Sequence, residues 1–345
     1  MIAESMKALV KGSSVIRAMF EEGNRLAKIY GVENVYDFSL GNPNVPAPAE
    51  VNEAIKEVVD EEDSVVLHGY MSNSGFEDVR EAIAQSLNKR FDTHFNYTNI
   101  VMTVGAAGGL NTVLKTILNP GDEVLTFAPF FGEYKNYVGN FGGKLVAVSP
   151  DTSTFQPKFD EFEKLINKNT KAVIVNNPNN PTGAVIEKAY LKELIEHNPQ
   201  VCFVIDQSYE FFTLQPLFSP VEAAHFSNVL LLHSMTKRYA VPGLRLGYIT
   251  AHEGLLSRLR THRMPWSVNQ LAIEAGLYLL EYDVPNPLNI SAYLQETARL
   301  RNALEQTGDL EVWTTETHFM LVHLRFGKAS ALKEYLANEH GILIR

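Results

Sequence analysis

The chain has 345 residues, 45% of them apolar and 20% charged, which fits a globular protein of about two domains and excludes disorder, a collagen repeat or a small disulfide scaffold. Thirty basic against 40 acidic residues leave a net charge of −10, which argues against a dedicated nucleic-acid binder. One cysteine excludes an internal disulfide framework, no apolar stretch approaches the roughly 20 residues needed to cross a bilayer, and Met1 to Lys11 lacks a leader pattern, so a cytoplasmic protein without membrane or nucleic-acid partners is expected.

In chain order, Val15, Ile16, Met19, Phe20, Leu26 and Ile29 recur at near-helical spacing, and Gly31 closes that helix. Residues 36–40 read as an extended run ended by Gly41-Asn42-Pro43-Asn44. Phe76, Val79, Ile83 and Leu87 form one face of an amphipathic helix. From residue 100 the pattern alternates. Residues 100–104, 123–127, 144–148, 171–175, 201–205, 228–232 and 246–250 are short apolar runs, and helix-like segments such as 105–118 and 190–197 lie between them. Cys202 lies inside one run and reads as a small buried apolar residue. Such a pattern predicts an α/β fold: a mostly parallel central sheet with helices on both faces. Further on, residues 287–304 read as a helix, 309–314 and 318–324 as paired strands, and 329–337 as a helix capped by Gly341. Residues 342–345 begin another strand, which would leave a sheet edge unpaired and suggests a chain that continues further.

In sheets of this kind ligands gather beyond the carboxyl ends of the strands, so the residues there are candidates for chemistry. After residue 104 comes Gly105-Ala106-Ala107-Gly108-Gly109, either a tight turn or a backbone cradle for an anion at a helix start. After residue 127 comes Phe131, either core or a flat face for a planar ring. After residue 175, Asn176, Asn177, Asn179 and Asn180 surround Pro178, Pro181, Thr182 and Gly183, either a turn of favoured residues or amide donors at the sheet mouth. Asp206 and Tyr209 follow residue 205; a carboxylate there is a cap or the partner of a cation. Ser234, Thr236 and Lys237 follow residue 232, with Arg245 beyond. The hydroxyls and Arg245 could hold a phosphate, and a desolvated lysine can act as a nucleophilic amine. A carboxylate, a phenol, a stacking face, a phosphate cup and an amine are together the parts that a protonated pyridine aldehyde requires.

Asn180-Pro181-Thr182-Gly183, Asp206-x-x-Tyr209, Ser234-x-Thr236-Lys237 and Gly243-Leu244-Arg245-x-Gly247 resemble the signature blocks of the fold-type I pyridoxal-phosphate enzymes, specifically the class I/II aminotransferases, over about residues 35–345. Up to about residue 185 the chain looks like the aspartate-type branch. Beyond it, the chain looks like the histidinol-phosphate aminotransferase and threonine-phosphate decarboxylase branch. The resemblance implies a large cofactor domain over residues 46–279 and a smaller α+β domain from 1–45 and 280–345. It implies pyridoxal 5′-phosphate joined to Lys237 as a Schiff base, with Asp206 at the pyridine nitrogen and Tyr209 and Asn180 at the ring hydroxyl. Phe131 would stack on the ring, and Ala106, Ala107, Ser234, Thr236 and Arg245 would hold the phosphate. Tyr70 would reach the phosphate of a partner subunit in a homodimer, and Gly41 would lie beside the substrate carboxylate, near Asn180. His68, Trp266 and Asn269 are candidates for lining the entrance. Transamination between an L-amino acid and a 2-oxo acid is the expected activity, with no metal. Decarboxylation of a phosphorylated amino acid and non-catalytic cofactor binding are the alternatives. The family's carboxylate-clamping arginine would lie beyond Arg345, which resembles an arginine of the preceding strand.

Overall fold

The computed structural model describes residues 15–70, 77–281 and 288–345; the expected helix start at Phe76 and the first 14 residues lie outside them. Among the described residues the strands are β1 (Tyr36–Asp37), β2 (Ile100–Thr103), β3 (Glu123–Phe127), β4 (Lys144–Val148), β5 (Thr170–Asn176), β6 (Cys202–Asp206), β7 (Val229–Ser234), β8 (Gly247–Ala251), β9 (Leu310–Val312), β10 (Val322–Leu324) and β11 (Ile342–Leu343). Two units form. The smaller draws on residues up to 42, 304–311 and 322–345, and the larger on 43–303 and 312–321. Residues 280–303, placed with the smaller domain on sequence, fall in the larger unit.

The larger unit is built on one seven-stranded sheet in the order β2-β8-β7-β6-β5-β3-β4. Every pair is parallel except those made by β8, which runs against both β2 and β7. The strands are rich in Val, Ile and Leu because both faces are covered. Val173, Val175, Phe203, Ile205 and Leu231 pack on one side with Leu191, Leu194 and Ile195 of helix Lys188–His197. The alternate residues Ala172, Ile174, Val204, Leu230 and Leu232 pack on the other with Leu110, Val113 and Leu114 of helix Gly105–Ile117. Period-two alternation thus feeds two apolar layers from one set of strands. A third core lies where Val79, Ile83 and Leu87 of helix Glu77–Phe91 meet Ile273 and Leu279 of helix Gln270–Glu281. Cys202 lies among the partly buried residues of the second layer, and burial pushes its thiol up to about 12, so it is an unreactive core residue.

Strand register sets the functional rim. Asn176 faces Asp206, Asp206 faces Leu232, Ser234 faces Gly247, and Gly247 faces Thr103. The carboxyl ends of β2, β5, β6 and β7 therefore lie at one edge together with the amino end of the reversed β8.

In the smaller unit, helix Val15–Tyr30 ends at Gly31, whose φ of 84° suits a residue without a side chain. Helix Ala329–His340 ends at Gly341 with φ 64°, as its sequence predicts, and a methyl group there would overlap the Asn34 carbonyl oxygen. The strand that sequence left at an unpaired edge is paired: β11 runs parallel to β1, with Tyr36 N–H donating to Gly341 O at 2.8 Å and Phe38 N–H to Leu343 O at 2.9 Å. Leu26, Ala337 and Leu343 form the core beneath.

One expected strand is shorter than predicted. Residues 318–321 are irregular, and β10 begins only at Val322 before pairing with β9. The cause is local. Thr315 Oγ1 donates to Phe319 O at 2.6 Å and accepts from Thr317 N–H at 3.1 Å, so hydroxyls satisfy backbone groups that a ladder would otherwise use.

Candidate active site

Asp206 ends β6 and is buried. Its Oδ2 accepts from the Tyr134 hydroxyl at 2.7 Å, and its Oδ1 accepts from Ser208 Oγ at 2.6 Å and Ser208 N–H at 3.0 Å. One oxygen caps a turn, as the first sequence reading has it, while the other binds a buried neutral phenol rather than a cation. A carboxylate has about four lone-pair sites, so three donors leave capacity for a fourth. Tyr134 was not picked out on sequence. Burial, then the Asp206 charge, hold its phenol well above the usual tyrosine range, so it is a fixed donor. Phe131, three residues earlier, is half-buried and meets the Tyr134 ring edge-on, with centroids 5.6 Å apart.

The neighbouring strand delivers the amine. β7 ends at Ser234 and passes directly into the short helix Met235–Arg238, which carries Thr236 and Lys237. Ser234 and Thr236 are buried. Burial, reinforced by the Arg245 charge, lowers the Lys237 ammonium to about 8, which places a usable fraction of free amine near neutral pH.

A phosphate-sized anion has a matching corner. Ala106 and Ala107 lie in the first turn of helix Gly105–Ile117, where backbone N–H groups lack helical partners. The Arg245 guanidinium stands beside them, since a methyl group on Gly105 would come within 2.8 Å of its Nη2. Arg245 is held in the left-handed region, φ 56° and ψ 47°, with Nη1 donating to Pro242 O at 3.2 Å. A non-glycine residue there is costly and persists where its surroundings fix it. Gly247 brings the three segments together, because a methyl group on it would lie 2.6 Å from His233 O and 2.8 Å from the Gly105 carbonyl carbon. Gly105 itself has φ +68°. Gly105→Ala is therefore expected to weaken pyridoxal 5′-phosphate binding by about tenfold or more, the side chain costing on the order of 1–2 kcal/mol at that φ before the guanidinium is displaced. A fluorescence titration of the cofactor measures it.

The asparagine-rich turn after β5 is mostly occupied in holding itself. Asn179 Oδ1 accepts from Thr182 N–H and Oγ1, Asn177 Oδ1 from Ile186 N–H, and Asn176 Oδ1 from the backbone N–H of Asn180 at 2.7 Å. Asn180 is thereby fixed, half-buried, at the same rim. Gly183 has φ +73°, and a methyl group on it would overlap Thr315 Oγ1. Its carbonyl accepts from Glu316 N–H at 3.0 Å, which seats residues 315–319 against the turn. The result is an aromatic wall: Tyr209 faces Phe319 with centroids 5.0 Å apart, and His318 lies 4.3 Å from Phe212 and 6.0 Å from Tyr209.

Behind Tyr209 and Lys237 lies a buried charge cluster that local sequence did not reveal. Glu210 Oε1 is 3.2 Å from His233 Nδ1, and His233 Nε2 is 2.9 Å from Thr250 Oγ1. The guanidinium of Arg238 covers the Phe211 ring at 4.1 Å, and that of Arg90 lies 5.5 Å from the same ring. Burial raises the Glu210 carboxyl, but His233, Arg90 and Arg238 outweigh it and hold it below its ordinary value.

Tyr70 is 86% exposed, its ring 4.7 Å from that of half-exposed Trp266. His68 is also exposed, with Nδ1 2.8 Å from Ser64 O, while Asn269 Oδ1 caps the next helix by accepting from Ala272 N–H. Gly41 belongs to the smaller unit, just after β1.

The set suits pyridoxal 5′-phosphate: a lysine eased toward the free amine, a buried carboxylate with an open lone pair, and a helix start flanked by an arginine. Comparison with known proteins points the same way. Residues 33–345 match the family described as aminotransferase class I and II. The chain is 31% identical over 260 residues to aromatic-amino-acid aminotransferase 2 of Thermococcus litoralis, covering 73% of this chain and 64% of that protein. It is 30% identical over 232 residues to an aspartate aminotransferase of Sulfurisphaera tokodaii, covering 65% and 57% respectively. The chain thus spans less than two thirds of the length of either relative. Among solved structures, an amino transferase from Eubacterium rectale superposes with a TM-score of 0.85 at 34% identity, over 99% of this chain and 89% of that one.

Proposed function

Because the chain belongs to the class I and II aminotransferases, whose cofactor is pyridoxal 5′-phosphate, we propose that it moves an amino group between an L-amino acid and a 2-oxo acid, with Lys237 as the catalytic amine. The observation that carries this reading is the pairing on adjacent strands: Asp206 closing β6 and Lys237 just beyond β7, the lysine lowered to about 8.

When bound, the protonated pyridine supplies an electron sink for charge developing at the substrate Cα. The rest is the work of this chain. Asp206, its position fixed by Tyr134 and Ser208, would keep a proton on the ring nitrogen. The N–H groups of Ala106 and Ala107, with Ser234, Thr236 and Arg245, would hold the phosphate. Phe131 would supply an aromatic face, and Asn180 and Tyr209 would donate to the ring oxygen. Lys237 Nζ would be the amine that holds the cofactor and the base that moves the substrate Cα proton. Asn180 would also border the substrate. These groups all belong to the larger unit, residues 43–303 with 312–321. We propose a homodimer, because Tyr70, Val65, Met264 and Trp266 are large apolar residues left exposed. The cytoplasm is the proposed compartment.

The test is a titration of the cofactor-loaded protein with aspartate, tyrosine and a wider amino-acid panel. The expected result is a change in the cofactor's visible absorbance with formation of the matching oxo acid. Carbon dioxide released without oxo acid would make the protein a decarboxylase, and an absorbance that never changes would make it a binding protein. Asp206→Asn is expected to lower the rate by about 100-fold or more, since it removes charge aimed at the reacting system.

A further inference from the structure

We propose that His318 is a substrate-binding residue that donates a hydrogen bond from Nδ1 to a carboxylate oxygen of the amino acid or oxo acid; this rests on the reading of the site as an aminotransferase centre. His318 occupies the aromatic wall beside Tyr209. Its ring is 4.3 Å from Phe212, tilted by 41°, and 5.1 Å from Phe319, edge-on at 81°. Neither ring contact is a hydrogen bond. Among the described residues Nδ1 is buried with no hydrogen-bond partner. Buried polar atoms in native proteins are rarely left so, and the exceptions call for a specific cause. A bound ligand at the rim is that cause here.

Charge selects the ligand. The charged group that faces His318 is Lys237, from the short helix after β7, and the other titratable neighbour is the Tyr209 phenol. Burial, then the Lys237 charge, lower the His318 imidazole to about 4. The ring is therefore neutral near pH 7, with one N–H to donate. No hydrogen bond joins Asp206 to His318, and three of the Asp206 acceptor sites are taken by Tyr134 and Ser208. In the cofactor-free protein the site thus sets an ammonium and a neutral N–H donor side by side. A carboxylate answers both, and it is the group that an amino acid and its oxo acid share. The signal was absent from the sequence reading because His318 was assigned to a strand, where its nitrogen would have had no reason to stay unpaired.

Succinate, which carries carboxylates but cannot react, and succinamide, its uncharged analogue, are the probes, applied to cofactor-free protein labelled with ¹⁵N at histidine. Succinate is expected to shift the His318 imidazole signals and to raise the pH of their titration, while succinamide leaves both unchanged. His318→Phe is expected to weaken succinate binding by about tenfold or more, and His318→Asn, which keeps an N–H donor, to restore it to within about threefold. In the loaded enzyme His318→Phe should raise KM with kcat nearly unchanged. Unmoved imidazole signals, equal succinate affinity in His318→Phe, or no succinate binding by the native protein would each overturn the proposal. If the native holoenzyme fails to respond to any amino acid while the succinate results hold, the transamination reading falls and the carboxylate site remains.

Discussion

Lys237→Ala is expected to lower kcat by about 10⁴-fold, the upper range for loss of a positioned acid–base group, and to leave the protein folded. In the proposed mechanism the same side chain holds the cofactor and moves the Cα proton, which sets the size of the expected loss. A companion variant separates chemistry from stability. Lys237 is lowered from 10.5 to about 8, first by burial and then by Arg245, so folding disfavours its protonated form. Between about pH 8 and 10.5 the unfolded chain binds more protons than the native one, and native stability rises with pH across that window. Below it the penalty is fully present, about 3 kcal/mol by the size of the shift. Lys237→Met, an apolar replacement of similar length, should therefore make the cofactor-free protein more stable at pH 7 by up to about 3 kcal/mol, with the gain fading toward pH 10. Urea denaturation at the two pH values reads the difference.

Glu210→Leu is expected to be the most destabilising single change near the site, at about 3–5 kcal/mol. The Glu210 side chain is only 10% exposed and answers His233, Arg90 and Arg238. Removing the carboxylate leaves two guanidinium groups and an imidazole together without an anion. Because its pKa is depressed in the folded state, the contribution of Glu210 is fully present above its ordinary carboxylate value and is lost as pH falls from there through the lowered value. The gap between native and variant protein should accordingly hold down to about pH 5 and shrink below it. A denaturation series from pH 7 to about pH 3 measures both the size and the sign. Glu210 follows Tyr209 and Arg238 follows Lys237 in the chain, so the cluster fixes two site segments from behind, and the variant should lose cofactor affinity along with stability.

Asp206 and Lys237 stood out as candidates in the sequence because strand ends are a local signal: an apolar run stops and polar residues follow. Sheet order made the rest illegible. Tyr134 and Asp206 are separated by 72 positions, and they meet only because β3, β5 and β6 are neighbours in the sheet. Glu210 looked like an ordinary acidic residue after a tyrosine, its partners lying on a helix before residue 91 and on the adjacent strand β7. His318 was hidden by a pattern that read as strand until threonine hydroxyls diverted the backbone. Of the four asparagines at the end of β5 and just beyond it, sequence could not say which would hold the turn; hydrogen bonds assign Asn176, Asn177 and Asn179 to it.

The reversed strand β8 bears on how such a centre can be moved between scaffolds. Its direction puts Arg245, just before β8, on the same rim as Ser234 at the end of β7, with the short helix Met235–Arg238 and one further turn between them. Amine and anion grip are thus one cassette, residues 234–247, with Gly247 as the keystone where it touches Gly105. A transplant that carries the lysine without the turn back would deliver an amine with no anchor for the molecule it must hold.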